Sequence, residues 1–423
     1  MATFASKGVN LLIQLISLPL TINYLGYERF GLMATITTTL GVLTYADLGL
    51  GMGLQNKIPF LNVNNNHKEI KALISTTFWT LIAIGLIGAI VVAFSFSLID
   101  WGAFFHVKDE LSRQEAFSSV LLVVAILLLN LPFSVIQRVE SALLRGYRNE
   151  FWLVASNILS LIALLVVTHF KLGVPFVILA LQGVPALVLS VNFLTSFVRH
   201  HKDLAPSILD FDTLKILPLL QDGSIFLVLQ IGALISNGSD TYLISKFIGN
   251  ETVAKYTIAI RLAMLFAMPM QILTASLTNS YNDAFARFDY AWLQKTTTQF
   301  FKLTFSVSSV LALILLTTGN FVLYLWLKYA PMDINALVIL AIFLFYSNFN
   351  SLISMIALSA TYLRKLIILY PIAAILSLIV KVILLNYFRV SFTDILLANA
   401  LLMSVFFLIP FVFIFIKSKL FHD

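Results

Sequence analysis

The sequence predicts an all-α integral membrane protein with about twelve transmembrane helices, arranged as two six-helix, parallel-repeat lobes around a central cavity. Composition is the first observation: 60% of the 423 residues are hydrophobic and 11% are charged, and the mean hydropathy is +0.95. Soluble chains carry roughly a quarter charged residues. The second observation is a series of apolar segments of about 20 residues each. Because lipid offers no hydrogen-bonding partners to open backbone, such segments cross the membrane as helices.

The apolar segments follow one another with short polar connections. They cover residues 5–24, 30–52, 74–98, 117–138, 151–170, 173–197, 219–246, 253–277, 299–321, 335–357, 366–387 and 394–416. The connections on the side of the two termini carry about twice as many Lys and Arg residues as those on the other side. The positive-inside rule therefore predicts that both termini lie in the cytoplasm.

A hairpin at Leu18–Lys57 organises the chain, because two apolar helices are joined there by a tight polar turn at Gly26–Arg29. The second helix is predicted to carry Asp47 and to end in a glycine-rich exit. A related pattern returns at 248–279, where a polar Gly-Asn-Glu turn precedes another apolar helix. The recurrence indicates two similar halves.

The midpoint of the chain predicts where these halves meet. Residues 199–216 are charged and contain a proline, so we expect a cytoplasmic linker there, between an N-terminal lobe at 1–198 and a C-terminal lobe at 217–423. Each half has an even number of spans, so both insert the same way round. The repeat is then parallel, about an axis along the membrane normal.

Composition and motifs also exclude several classes of function. The chain has no cysteine, which excludes disulfides and thiolate metal sites, and no metal site or cofactor is predicted. It has no Gly-rich phosphate loop, no HExxH and no GxSxG, so the sequence does not predict an enzyme. The net charge of +7 is explained by membrane orientation rather than by nucleic-acid binding.

Polar residues recur along one face of the first predicted helix. Their 3-4-3-4-3 spacing matches the helical period, and they are Lys7, Asn10, Gln14, Ser17, Thr21 and Tyr24. In a bilayer such a face should meet other helices or water rather than acyl chains. Two interpretations stay open: the face lines an aqueous cavity, or it joins helices through hydrogen bonds.

The seventh predicted helix is also polar, with Gln230, Asn237 and Asp240, and the eighth adds Arg261. A carboxylate as deep as Asp240 costs a few kcal/mol unless it is paired or protonated. Asp240 and Arg261 are expected at similar depths. They could form a buried ion pair, or Arg261 attracts an anionic headgroup while Asp240 responds to a coupling cation. Asn350, in the tenth helix, belongs to a further polar face, suited to sugar hydroxyls or to helix packing.

Four more charged residues lie near predicted helix ends. Asp47 and Asp222 are expected near the cytoplasmic ends of helices two and seven, where a place at the polar interface explains them as well as ion coupling does. Lys302 and Lys381 lie a turn or two from helix ends, so we expect their side chains to snorkel to the interface.

The motif PLTINYLGYERFGL…YADLGLGMGLQNKI, at Pro19–Ile58, resembles the start of bacterial polysaccharide-biosynthesis membrane proteins. These are flippases of the O-antigen translocase kind, within the multidrug/oligosaccharidyl-lipid/polysaccharide exporter superfamily. The segment IGNETVAKYTIAIRL, at 248–262, is similar to that family's turn between helices seven and eight. The resemblance extends more loosely through all the predicted spans.

The resemblance implies two lobes in a V shape around a cationic cavity, with alternating access. It also implies a substrate, a polyprenyl (undecaprenyl)-pyrophosphate-linked oligosaccharide that moves from the cytoplasmic to the outer leaflet for O-antigen or other surface polysaccharide. Arg261 is the residue that best suits contact with the substrate anion, and Lys7 is a second candidate. The implied location is the bacterial inner membrane, in contact with membrane lipid. A polysaccharide polymerase is a candidate partner, and proton or sodium coupling stays open.

Three other readings compete with this one. The first is a cation-coupled drug or metabolite exporter of the same superfamily, which a carboxylate such as Asp47 or Asp240 would serve. The second is a polytopic polysaccharide polymerase or ligase, but such enzymes carry a large outer loop and every predicted outer loop here is short. The third is a purely structural role in assembly.

Overall fold

The computed structural model describes residues 2–107, 110–328, 332–359, 363–388, 390–410 and 412. Within these ranges the chain forms helices and connecting turns, and no strand. This agrees with the predicted all-α class, because every backbone group inside a helix is paired within its own segment.

The chain forms two compact units. Unit 1 comprises Met1–Gln230 together with Gly249–Glu251, and unit 2 comprises Ile231–Ile248 together with Thr252–Asp423. The boundary between Gln230 of unit 1 and Ile231 of unit 2 falls within a single helix, Ile216–Ala233, which begins at the end of the segment 199–216. The lobe boundaries predicted from the sequence stay a prediction.

Unit 1 contains nine helices and the larger part of a tenth among the residues that the structure describes. They are α1 (Ala2–Leu40), α2 (Leu50–Val63), α3 (His67–Ser95), α4 (Trp101–Phe104), α5 (Glu110–Phe133), α6 (Val135–Ala142), α7 (Gly146–Phe170), α8 (Val174–Ile178), α9 (Val184–Thr195) and α10 (Ile216–Ala233).

Unit 2 contains the remaining helices. They are α11 (Ser239–Phe247), α12 (Asn250–Ala286), α13 (Tyr290–Leu327), α14 (Ile334–Ser359), α15 (Leu363–Tyr387) and α16 (Phe392–Met403). Side-chain caps begin several helices of both units. The Asn66 side chain accepts from the Glu69 amide at the start of α3, and Ser391 with Asp394 forms a capping box at the start of α16.

Ten helical segments of the described chain are long and apolar enough to cross a membrane. The first, Gly8–Tyr45, is bent at Gly26, so it contains most of the first predicted span and residues 30–45 of the second. A shorter apolar segment, Phe392–Leu408, corresponds to the last predicted span. With the first segment divided and the shorter one added, the helices account for all the predicted spans.

Gly26 separates the two helices of the first hairpin. Its φ of 74° and ψ of 171° interrupt α1, in a region of backbone space that is essentially restricted to glycine. The predicted polar turn at Gly26–Arg29 therefore becomes a single-residue break, with helix on both sides.

The second predicted span, 30–52, is not one helix. After α1 ends at Leu40, the chain forms a 3₁₀ segment at Gly41–Tyr45, turns, and begins α2 at Leu50. Asp47 lies in this turn, where its Oδ1 accepts from the Gly49 amide at 3.1 Å. The prediction of a helical Asp47 was wrong because its side chain competes successfully for a nearby backbone donor.

Residues 199–216 pack on unit 1 as a series of short 3₁₀ turns. The Ser207 amide donates to Ser75 Oγ of α3 at 3.0 Å, and Lys71 pairs with Asp210 at 3.0 Å. Leu204 joins the apolar core that α2, α3 and α6 form. The segment is thus held to α3 along its length.

Three of the spans contain a widened π-helical turn. These turns lie at Leu179–Gly183, between α8 and α9, at Leu234–Gly238, between α10 and α11, and at Ser404–Leu408, after α16. The span that holds the first of them also ends in a π turn, at Ser196–His200. A π turn shifts the backbone hydrogen bonds by one residue and is common at functional sites. The second of these turns shapes the site described next.

Candidate functional site

A buried ion pair lies in unit 2, between α11 and α15. Lys381 Nζ donates to Asp240 Oδ1 at 2.6 Å, and both side chains are 0% exposed. Tyr256 of α12 donates its hydroxyl to Asp240 Oδ2 at 2.6 Å. Each carboxylate oxygen therefore has a donor, as a buried charge requires.

The π turn at Leu234–Gly238 supplies a further acceptor. Lys381 Nζ donates to the backbone oxygen of Ser236 at 2.6 Å. Next to it, Asn399 Oδ1 accepts from Ser236 Oγ at 3.0 Å and from Ser377 Oγ at 3.1 Å. We call these residues, with Asp240, Tyr256 and Lys381, the buried polar cluster; all are buried.

The sequence expectation for Lys381 was wrong. The helix end at Tyr387 is six residues away, about 9 Å by the helical rise, so snorkelling was a reasonable inference. The side chain instead turns into the core of unit 2, where Asp240 attracts it. The cation that meets Asp240 is thus Lys381 rather than Arg261.

Arg261 lies on another face of α12. Its side chain is exposed, whereas Tyr256 and Leu262 of the same helix are buried. One turn on, Met264 Sδ lies 4.0 Å from Ser347 Oγ of α14, which places the two helix faces side by side. We call this surface, which also holds Gln271, the Arg261 face. It combines a cation with neutral polar groups.

Asn350 lies on α14, three residues after Ser347, and is half-buried. Its Oδ1 is enclosed and has no hydrogen-bond partner among the residues that the structure describes. Ser351 and Ser354 are also half-buried, while Leu352 and Ile353 between them are buried. The predicted polar face of the tenth span is therefore less buried than the apolar side chains beside it.

Part of the polar stripe of the first helix joins helices within unit 1. Asn157 of α7 donates to Asn10 Oδ1, and Tyr24 Oη accepts from the Gly173 amide at 2.8 Å. Thr21 is buried and donates to its own helix, at Ser17 O. Gln14 is exposed. Two positions of the stripe join helices, and the role of Gln14 in a cavity stays a prediction.

Three other predicted residues lie around α2 and α10 in unit 1. Asp47 is buried and caps its own turn. Asp222 is exposed and pairs with Lys57 at 3.3 Å. Gln230 is half-buried, and its Oε1 is enclosed without a partner in the described part of the chain. Ion coupling at these carboxylates stays a prediction. The side chains of Lys7 and Asn237 lie outside the described residues.

One cluster was missed by the sequence analysis. Glu140 of α6 is fully buried, and its Oε1 lies 3.2 Å from His201 Nε2 and 3.3 Å from Arg148 Nη1. His201 is buried against Glu140, although it lies in the charged segment at 199–216. A glutamate two residues after an arginine gives no signal of burial in the sequence. In the described residues, no group of three or more His, Asp or Glu side chains could hold a metal.

The chain is similar to one protein family and to several solved structures. The family model described as polysaccharide biosynthesis protein matches residues 1–278. No curated protein sequence matches. An inward-facing multidrug resistance transporter of the MATE family, in the MOP superfamily, has a TM-score of 0.78 at 18% identity, over 97% of this chain and 96% of that chain.

Two further solved structures have the same fold. A MATE protein in its bent conformation has a TM-score of 0.67 at 17% identity, over 96% of this chain and 91% of that chain. A MOP superfamily transporter from Pyrococcus furiosus has a TM-score of 0.61 at 16% identity, over 99% of this chain and 94% of that chain. At these identities the similarity concerns the fold. Together with the family match, it shows that this multi-pass membrane protein belongs to the polysaccharide biosynthesis protein family and has the fold of MOP-superfamily transporters.

Proposed function

We propose that this protein is a flippase that moves a polyprenyl-pyrophosphate-linked oligosaccharide from the cytoplasmic to the outer leaflet of the bacterial inner membrane, by alternating access. The product would serve O-antigen, lipopolysaccharide or other surface polysaccharide. The observation that carries the proposal is the family match over residues 1–278. Under this proposal both termini lie in the cytoplasm, and a polysaccharide polymerase is a candidate partner.

The Arg261 face supplies a physical reason for such a substrate. A pyrophosphate with several sugars cannot cross hydrocarbon unaided, because its charges and hydroxyls would lose their water. An exposed guanidinium within a membrane span offers bidentate hydrogen bonds to phosphate oxygens. Ser347 and Gln271, on the same face, suit sugar hydroxyls, while the apolar tail stays in lipid.

The decisive experiment is deletion of the gene, followed by chemical analysis of the polyprenyl-linked intermediates and of the leaflet that holds them. We expect undecaprenyl-pyrophosphate oligosaccharide to accumulate on the cytoplasmic face, with loss of surface polysaccharide. Restoring the gene on a plasmid should reverse both effects. Single repeat units accumulating on the outer face would contradict the proposal and indicate a polymerase.

A cation-coupled exporter of drugs or metabolites is the second candidate, because the solved structures with this fold include multidrug resistance transporters. The same deletion strain separates the two functions. An exporter predicts altered resistance to amphipathic drugs with unchanged polyprenyl-linked intermediates. A flippase predicts altered polyprenyl-linked intermediates with unchanged resistance to these drugs.

A further inference from the structure

The buried polar cluster has the ligands of a cation site. Around Lys381 Nζ lie a carboxylate oxygen of Asp240 and the backbone oxygen of Ser236, each at 2.6 Å. The amide oxygen of Asn399 and the hydroxyl of Ser377 lie in the next layer of the cluster. Carboxylate, carbonyl, amide and hydroxyl oxygens are hard ligands, which suit alkali and alkaline-earth cations rather than soft transition metals.

The backbone at Ser236 also supports the interpretation of the buried polar cluster as a cation site. Ser236 lies in the π turn at Leu234–Gly238, within a membrane span. In transporters, carbonyl groups at irregular turns of spanning helices coordinate Na⁺ or H⁺ near the middle of the membrane. Here the Ser236 carbonyl instead accepts a hydrogen bond from the ammonium of Lys381.

The charge of the cluster indicates which class of cation fits. The cluster contains one carboxylate, from Asp240, and one ammonium, from Lys381, so the pair is neutral when both are ionised. Both side chains are 0% exposed, and an unbalanced charge in such a place is strongly unfavourable. A monovalent cation would replace the ammonium with the same balance, whereas a divalent cation would leave an excess positive charge.

We propose that Lys381 acts as a tethered cation, whose ammonium occupies an oxygen-lined site for a monovalent metal ion in unit 2. The site takes no free Na⁺ while the lysine is present. Removal of the ammonium opens it, so that Na⁺ binds between Asp240 and the Ser236 carbonyl. This inference concerns the ion and not the cargo, and it stands or falls independently of the proposed flippase activity.

The test is the binding of radioactive Na⁺ to purified, detergent-solubilised full-length protein, measured by scintillation proximity. We expect no saturable binding to the wild type at the buried polar cluster and one saturable site in Lys381→Ala. The matched control is the double variant Lys381→Ala/Asp240→Asn, which removes both charges and should lose the site. Saturable Na⁺ binding to the wild type that Asp240→Asn abolishes would overturn the proposal.

Thermal unfolding gives a second readout. Replacing choline chloride by NaCl should raise the unfolding midpoint of Lys381→Ala by about 3 °C or more, because Na⁺ binds only the folded state. The wild type and the double variant should show no such difference. An equal midpoint in both salts for Lys381→Ala would mean that Lys381 is only a structural partner of Asp240.

A second variant covers the case in which Lys381→Ala folds poorly. Lys381→Ser leaves a hydroxyl beside Asp240 and should show the same sodium dependence, with higher yield when expressed and purified in NaCl than in choline chloride. If neither variant folds in NaCl, Na⁺ does not substitute for the ammonium, and the proposal is wrong.

Discussion

Charged residues inside the spans of this protein occur in two contrasting environments. Lys381 and Asp240 are fully buried and satisfy each other, whereas Arg261 is exposed on its helix. A buried pair contributes little net stability, but removing one partner is costly because the other remains charged. An exposed cation can be reached by an anionic ligand. The two environments therefore lead to different consequences of mutation.

Arg261→Ala should reduce translocation without loss of membrane insertion. Loss of a charged hydrogen bond, worth roughly 1.5–3 kcal/mol, would weaken binding of the anion by about tenfold or more. The measurement is recovery of surface polysaccharide in the deletion strain, together with protein level in the membrane fraction. Arg261→Lys should keep part of the activity because the charge remains.

Arg287→Ala is the matched control for this prediction. Arg287 is an exposed arginine outside the spans, paired with Asp283 at 3.0 Å. Exposed pairs contribute about 0–1 kcal/mol, so the variant should translocate normally. Normal translocation by Arg261→Ala as well would show that Arg261 does not meet the substrate.

Asp240→Asn should destabilise the protein by about 3–5 kcal/mol, because Lys381 would remain buried without its counter-ion. The double variant Asp240→Asn/Lys381→Met should recover most of this loss, since it leaves no buried charge. The measurement is the free energy of unfolding in detergent for the wild type, both single variants and the double variant. Additive losses in the double variant would contradict a direct interaction.

At the scale of elements, glycines let α2 and the start of α10 approach closely within unit 1. A Cβ atom at Gly53 would lie 2.1 Å from the Leu219 backbone oxygen, and one at Gly223 would lie 2.0 Å from the Gly49 backbone oxygen. Small residues allow such backbone contact between membrane helices. The glycine-rich exit seen in the sequence therefore has a packing role.

Gly53→Ala should separate α2 from α10, because backbone atoms cannot yield as a flexible side chain can. We expect a loss of about 1–3 kcal/mol, typical of overpacking, measured as thermal unfolding in detergent. Gly146→Ala is the control, since a Cβ atom there meets nothing within 4 Å. Equal stability of both variants would mean that the close approach is not required.

At the scale of the whole molecule, membrane orientation rests on the distribution of basic residues. Lys and Arg concentrate on the side of the termini and of the segment 199–216. Translocating such loops is unfavourable, so we expect them to stay in the cytoplasm. Orientation is therefore a property of the summed loops rather than of any helix pair.

Reporter fusions test this orientation. Fluorescent protein fused after residue 423 should be bright, and alkaline phosphatase fused there should be inactive, because both report cytoplasm. The same reporters inserted after Lys171, in a short predicted outer loop, should give the opposite result. Phosphatase activity at the C-terminus would contradict the predicted orientation.

The sequence predicted the spans well and the site only in part. The apolar segments and the break at Gly26 depend on local composition, which is read directly from the residues. The partner of Asp240 was missed, because Lys381 is separated from it by 141 positions. Glu140 and His201 were missed for the same reason, since they meet only after folding.

By itself, the sequence determined the membrane class, the number of spans, the all-helical fold and the family. Each follows from hydropathy, charge bias or a local motif, and these features do not depend on how the helices pack against one another. Tertiary structure alone decided that Lys381 turns inward to Asp240 and the Ser236 carbonyl, while Arg261 stays exposed. The physical reason is that a charged side chain near a helix end can reach either the interface or a buried partner. Only the packed neighbours determine which has the lower free energy.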